Sequence, residues 1–180
     1  TVDPPEGFLA TANNSPVREE CGPFLGVDWL DGYRAARILE VLSDGKGRDV
    51  GSALALQMDT QSIPWREMRD TVLSVSPDDD NGRGALELLG DWDGDLMPDS
   101  IAASVFQLFL FSMYRRVAQA KAPRSWKWAL GNSDNLIQPH TLLVSRRTAH
   151  LARLLRDRPD GWFAYGWDRT IEDALSEAMS

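Results

Sequence analysis

The chain has 180 residues, of which 43% are hydrophobic and 26% charged, enough apolar material for a sizeable core and too much for a disordered chain. Nineteen lysines and arginines against 27 aspartates and glutamates leave a formal net charge of −8, so no basic field exists to displace counterions and no nucleic-acid partner is expected. One cysteine, Cys21, excludes an internal disulfide framework and any multi-cysteine metal site.

Thr1 to Gly7 reads as a loop that Pro4-Pro5 keeps extended. Phe8 to Ala12 is short and apolar and reads as a strand, and Asn13-Asn14-Ser15-Pro16 marks the turn after it. The signals then become helical. Tyr33 to Ser43 carries apolar residues at helical spacing between Asp31-Gly32 and a stop at Gly45, and Asp49 can cap a helix running to Met58. Pro64 suits a first helical turn that leads to Met68, Val72 and Leu73. Asp78 to Gly82 reads as a solvated loop before a short helix, Ala85 to Leu89.

Ser100 caps the longest helix, Ile101 to about Lys121, roughly 30 Å long at 1.5 Å per residue. Its apolar residues lie nearly all round, which predicts a central helix. The apolar run within it, Ile101 to Tyr114, is too short to cross a bilayer, and no membrane partner is expected. Further helices are expected over about Thr141 to Arg156 and from Thr170, where Asp173 gives a capping-box spacing, to the end of the chain at Ser180. No stop signal follows Leu175, which reads as a segment of a longer protein. The fold class is mainly α with a small β element at the front.

Several residue types invite a chemical reading. An N-terminal threonine can be a nucleophile with its own amine as base, but Val2-Asp3-Pro4-Pro5 cannot form the core strand such residues open, and Thr1 reads as a fragment end. Asp91-Trp92-Asp93-Gly94-Asp95 resembles the start of a calcium loop, yet positions six and twelve are Leu96 and Ala102 where an EF-hand needs Gly and Glu. Its carboxylates read instead as turn residues ahead of the Ser100 helix. His140 and His150 are the only histidines and have no metal or triad spacing around them. His150 reads as a partly exposed helix residue. Glu19 and Glu20 beside Cys21 disfavour a thiolate.

Asn13 stands where the front strand would leave a sheet. Its amide can aim at a developing oxyanion, a contribution that reaches about 3 kcal/mol in other enzymes. Read alone, Asn-Asn-Ser-Pro is ordinary turn chemistry, and composition does not decide between the two.

The run Gly7-Phe8-Leu9-Ala10-Thr11-Ala12-Asn13-Asn14-Ser15-Pro16, followed by Gly32-Tyr33-Arg34-Ala35-Ala36-Arg37-Ile38, resembles the middle of the large (β) subunit of the penicillin acylase family of N-terminal nucleophile hydrolases. Gln57-Met58-Asp59-Thr60-Gln61-Ser62 and Leu88-Leu89-Gly90-Asp91-Trp92-Asp93-Gly94 are similar to the next two family landmarks, in the same order, and Ser100 to Phe106 to the helix after them. The likeness covers residues 4 to 115 well and the rest loosely.

The resemblance implies the helical part of an Ntn-hydrolase β subunit, with 1–16 as loop and strand of the αββα core and 17–180 as a helical region continuing beyond both ends. It implies that Asn13 is an oxyanion donor and that Arg34 holds the hydrogen-bond network near the active centre; a helix ion pair remains the alternative for Arg34. Arg37 reads as structural. The family nucleophile, an N-terminal serine exposed by self-cleavage, lies upstream of this chain, so the segment alone is expected to be inactive. Partners implied are the remainder of the β subunit, an α subunit from the same precursor and a small acyl-amide substrate, in a periplasmic or extracellular setting. No cofactor is expected. Some members bind a structural calcium, but the aspartate they supply has no match at Gly22-Pro23-Phe24. The competing reading is a non-catalytic helical interaction module that retains the family scaffold.

Overall fold

The computed structural model describes residues 4–5, 7–17, 22, 24–26, 29–45, 49–130 and 142–180. Eight helices organise them: α1 (Tyr33–Ser43), α2 (Val50–Gln57), α3 (Ile63–Leu73), α4 (Asp80–Gly90), α5 (Ile101–Lys121), α6 (Trp126–Ala129), α7 (Leu142–Asp157) and α8 (Gly166–Ala178). The mainly helical class is as the sequence indicates. Phe8 to Ala12 does not form a strand. A strand persists only in a ladder, and among the described residues the only β pairing is a single antiparallel bridge, Gln61 with Asp95.

Side-chain caps explain the starts of four helices. Asp49 accepts from the Ser52 N–H while the Ser52 hydroxyl accepts from the Asp49 N–H, a capping box, and Ser62 and Ser100 cap α3 and α5 through the N–H groups of Trp65 and Ala103. Two starts differ from expectation. The acidic stretch before Ala85 is helical from Asp80, because the Asp79 carboxylate accepts from the Gly82 N–H at 2.9 Å and caps α4 early. Thr170 does not cap α8. Its hydroxyl donates to the Gly166 carbonyl at 2.8 Å from inside a helix that has already begun.

The core lies around α5, which packs against α4, α6, α7 and α8. At its front, Trp65, Trp92 and Phe106 meet with ring centroids 5.2 to 5.4 Å apart, and the Trp65 indole N–H donates to the Trp92 carbonyl at 3.3 Å. Gly94 makes the close approach possible. It sits at φ +87°, and a Cβ there would lie 2.9 Å from Trp65 Cδ1. At the other end, Phe109, Met113, Leu151, Leu155, Ile171 and Leu175 are buried together. Burial of side chains this large supplies the main driving force for folding. The half-exposed Glu177 fastens α8 to α5 by accepting from the buried Ser112 hydroxyl at 2.6 Å and pairing with Arg115 and Arg116. Among the described residues, no helix is long and apolar enough to cross a membrane.

Candidate active site

Asn13 ends the front segment in the left-handed region, φ +62°, which asparagine tolerates because its short polar side chain bonds locally. The turn chemistry expected of Asn-Asn-Ser-Pro is present, but it falls to the neighbour. Asn14 Oδ1 accepts from the Ala12 N–H at 3.0 Å, and Asn14 Nδ2 donates to the Ser15 carbonyl at 3.0 Å. The Asn13 backbone is tied forward, its carbonyl accepting from the Leu30 N–H at 2.8 Å just before α1 begins.

The Asn13 side chain points to α1. Arg34 Nη1 donates to Asn13 Oδ1 across 3.3 Å. A guanidinium carries donors only, so the amide atom facing it is the oxygen, and the Nδ2 donors face the other way. Nδ2 has no acceptor among the described residues, and both side chains are exposed. The two residues singled out in the sequence, 21 positions apart, are therefore in contact.

Arg34 also lines a cleft of about 1030 Å³. Ile38, Val41 and Leu42 of α1, Leu56 of α2, Ile63 of α3 and Phe106 and Leu110 of α5 give it apolar walls, while Tyr33, Arg37, Asp59, Tyr114 and Arg147 bring polar groups. Asn13 lies outside that lining and is joined to it through Arg34.

The electrostatics around α1 are strongly paired. Arg37 grips Asp59 with Nε to Oδ1 at 2.9 Å and Nη2 to Oδ2 at 2.6 Å, and these bonds hold the Asp59 carboxyl below its ordinary range. Arg66 grips Glu40 at 3.0 and 2.7 Å; with Arg37 adding a third contact, the Glu40 pKa falls to about 2. The Tyr33 hydroxyl donates to Glu67 at 2.7 Å; partial burial, then this bond, drives the Tyr33 pKa upward. Burial likewise raises Asp31. Sequence reading passed over the Arg37–Asp59 pair. Asp59 stands out in the sequence only as part of a family landmark, and no local spacing rule connects it to a residue 22 positions earlier.

The other candidates are not drawn into this cluster. Asp93 accepts from the Asp95 N–H at 2.9 Å and so fastens its own turn, and the Asp95 carboxylate accepts from the Thr60 hydroxyl and ties the loop to the segment before α3. His150 is exposed on α7, its ring 6.5 Å from that of Trp162. Among the described residues, no group of three or more His, Cys, Asp or Glu could hold a metal ion. Thr1, Cys21, Pro23 and His140 lie outside the described residues.

A family profile described as penicillin amidase matches residues 1–180. The penicillin acylase 2 proenzyme of Pseudomonas sp. strain SE83 is 26% identical over 196 aligned residues, covering 98% of this chain and 23% of that protein. The acyl-homoserine lactone acylase QuiP of Pseudomonas syringae pv. tomato is 26% identical, covering 76% of this chain and 19% of its own length. QuiP of Pseudomonas fluorescens Pf-5 is 29% identical, covering 60% and 15%. The chain thus spans less than a quarter of the length of these relatives.

Proposed function

We propose, because the chain belongs to the penicillin amidase family, that it is a segment of the β subunit of an amidohydrolase that removes an acyl group from a linear amide. The observation that carries this reading is the Arg34–Asn13 hydrogen bond, which orients the amide and leaves Nδ2 with donors to offer. On this reading 1–16 belong to the loop and front segment of the catalytic core, and 17–180 form the helical region beside it. The remainder of the β subunit and an α subunit come from the same precursor, in keeping with the proenzyme name of one relative. The setting is periplasmic or extracellular.

The nucleophile is an N-terminal serine upstream of this chain, exposed by self-cleavage. Its hydroxyl attacks the acyl carbonyl carbon while its own α-amine takes the proton. The carbonyl electron pair moves onto oxygen, and Asn13 Nδ2 donates a hydrogen bond to that oxyanion. Collapse breaks the C–N bond, the ammonium returns its proton to the leaving nitrogen, and an acyl-serine ester remains. Water then repeats the attack and frees the acid. Arg34 acts before chemistry begins: with Oδ1 fixed, the donor need not reorient as charge develops, which is what makes such a donor effective.

The test is Asn13→Ala in the full-length protein, assayed with a chromogenic acyl amide. The expected result is a kcat lower by about 100-fold, equivalent to about 3 kcal/mol, with the fold retained and stability lowered by no more than the roughly 1–2 kcal/mol that an alanine costs at the φ of +62°. Unchanged turnover would leave the segment a non-catalytic helical module. The 180-residue chain should be inactive by itself, and hydrolysis by it that vanished in Thr1→Ala would place the nucleophile here and overturn the reading.

A further inference from the structure

The helix that presents Arg34 has little apolar anchorage. Ala35 is the one buried residue of α1, it stands apart from the main core cluster, and Leu39 is exposed. Polar contacts fix α1: the Tyr33 hydroxyl donates to Glu67 of α3 at 2.7 Å, and ion pairs supply the rest. Arg37, three residues after Arg34 and about one turn along, places two nitrogens on the two oxygens of Asp59 at 2.9 and 2.6 Å. Its remaining nitrogen reaches Glu40 at 3.2 Å, and Arg66 of α3 holds Glu40 from the other side. The Arg37 and Asp59 side chains are only 24% and 18% exposed, so water screens them less than an ordinary surface pair.

Asp59 is itself on firm ground. Its Oδ1 accepts from the Gln61 N–H at 3.2 Å. The segment after it is bound to the loop that carries Trp92, through Ser62 N–H to the Gly94 carbonyl at 2.9 Å and Leu96 N–H to the Thr60 carbonyl at 3.1 Å. The chain of contacts therefore runs from the buried Trp65–Trp92–Phe106 cluster through Asp59 and Arg37 to α1, and from α1 through Arg34 to Asn13.

We propose that Arg37 and Asp59 form a positioning pair that sets the placement and rotation of α1 and so holds Arg34 on Asn13 Oδ1. The proposal rests on the reading of Asn13 as the oxyanion donor. Neither residue touches Asn13; both act through Arg34. A guanidinium fork on a carboxylate fixes two distances at once and thereby an orientation, which one ammonium contact cannot do. The bond it protects is a single exposed one at 3.3 Å, which a small rotation of α1 would break.

The experiment uses Asp59→Asn and Arg37→Lys in the full-length protein, with kcat and KM measured on a chromogenic acyl amide. Asn removes the charge, and Lys keeps the charge but loses the fork. Each should lower kcat by about tenfold or more, since displacements near 1 Å in a site can cost up to about 100-fold, while KM changes little. The decisive readout is a double-mutant cycle. In an Arg34→Ala background, Asp59→Asn should cost little further, because its effect is routed through Arg34. Equal kcat losses in both backgrounds, or a lower melting temperature with normal kcat, would show a purely structural pair and overturn the proposal. If Asp59→Asn does not accumulate as folded protein, Arg37→Lys carries the same cycle. Asn13→Ala run in parallel separates the two failures. Normal turnover there defeats the oxyanion reading, whereas a large loss there beside normal Arg37 and Asp59 variants defeats the positioning pair alone.

Discussion

Replacing Gly82 and Gly84 by alanine, one at a time, measures how closely α4 approaches its neighbours. Both glycines lie inside α4, two residues apart, so each alanine gains the same helix propensity, about 1 kcal/mol. Space separates them. At Gly84 a new Cβ would sit 3.6 Å from Met179 Cε, an ordinary contact with a flexible side-chain end. At Gly82 it would sit 2.5 and 2.9 Å from Cβ and Cγ of Pro77 and 2.9 Å from Ser176 Oγ. The proline ring cannot swing aside. Ser176 cannot move freely either, because its hydroxyl donates to the Asp79 carboxylate that caps α4. Overpacking of this kind costs about 1–3 kcal/mol, and disturbing the cap about 1 more. Gly84→Ala should therefore stabilise by about 0.5–1 kcal/mol and Gly82→Ala destabilise by about 1–3 kcal/mol, on the sum of these terms. Denaturant midpoints of the full-length protein, followed by tryptophan fluorescence, should move in opposite directions. If both alanines shifted the midpoint the same way, the close approach of Gly82 to Pro77 and Ser176 would be wrong.

Three further outcomes are expected. Gly94→Ala combines a disfavoured φ of +87° with a Cβ 2.9 Å from Trp65 Cδ1 and should lower stability by about 2 kcal/mol or more, seen as a reduced melting temperature. Ser112 is 2% exposed, and Ser112→Ala removes a hydroxyl that donates to Glu177 and accepts from Arg116; a loss of about 1–2 kcal/mol should follow, from denaturant titration. Glu177 is depressed chiefly by the Ser112 bond, with Arg115 in support, and Asp59 chiefly by the Arg37 bonds. A carboxyl lowered on folding contributes stability that is present above its unfolded pKa, near 4, and lost as pH falls through the lower folded value. Unfolding midpoints should therefore decline from about pH 4 downward, and Glu177→Gln should make that decline shallower.

Where the controlling chemistry is local, the sequence was legible. Tyr33–Ser43 has the limits that Gly32 and Gly45 suggest, and Gly45 takes a left-handed φ of +68° just past the helix. The caps at Asp49 and Ser100 needed only near neighbours to identify. Distant partners defeated the same reasoning. Asp78 to Gly82 reads as a solvated loop before a short helix, whereas Gly82 is accommodated inside α4, where Pro77 and Ser176 leave no space for a larger residue. Thr170 with Asp173 has the spacing of a capping box, but that spacing also occurs inside a helix, and nothing local reveals that α8 starts at Gly166. Phe8 to Ala12 has the composition of a strand and lacks, among the described residues, a second strand to complete it. The Asn13–Arg34 contact was reachable through the family resemblance, not through spacing.

Two kinds of cohesion divide the molecule, and they bear differently on the site. From α3 onward the structure is held by buried side chains such as Trp65, Val72, Phe106, Met113 and Ile171. Around the site, α1 contributes Ala35 to the buried residues and α2 contributes none. Apolar burial is non-directional and roughly proportional to area, so it can hold a helix close without fixing its rotation. A bidentate ion pair is directional, and its worth depends on geometry. The placement of Arg34 against Asn13 requires direction more than cohesion, which is what Arg37, Asp59, Glu40 and Arg66 provide in a region that buries little. A large core supplies stability at a distance from the chemistry, and a short run of charges converts that stability into orientation at the residue proposed to do the work.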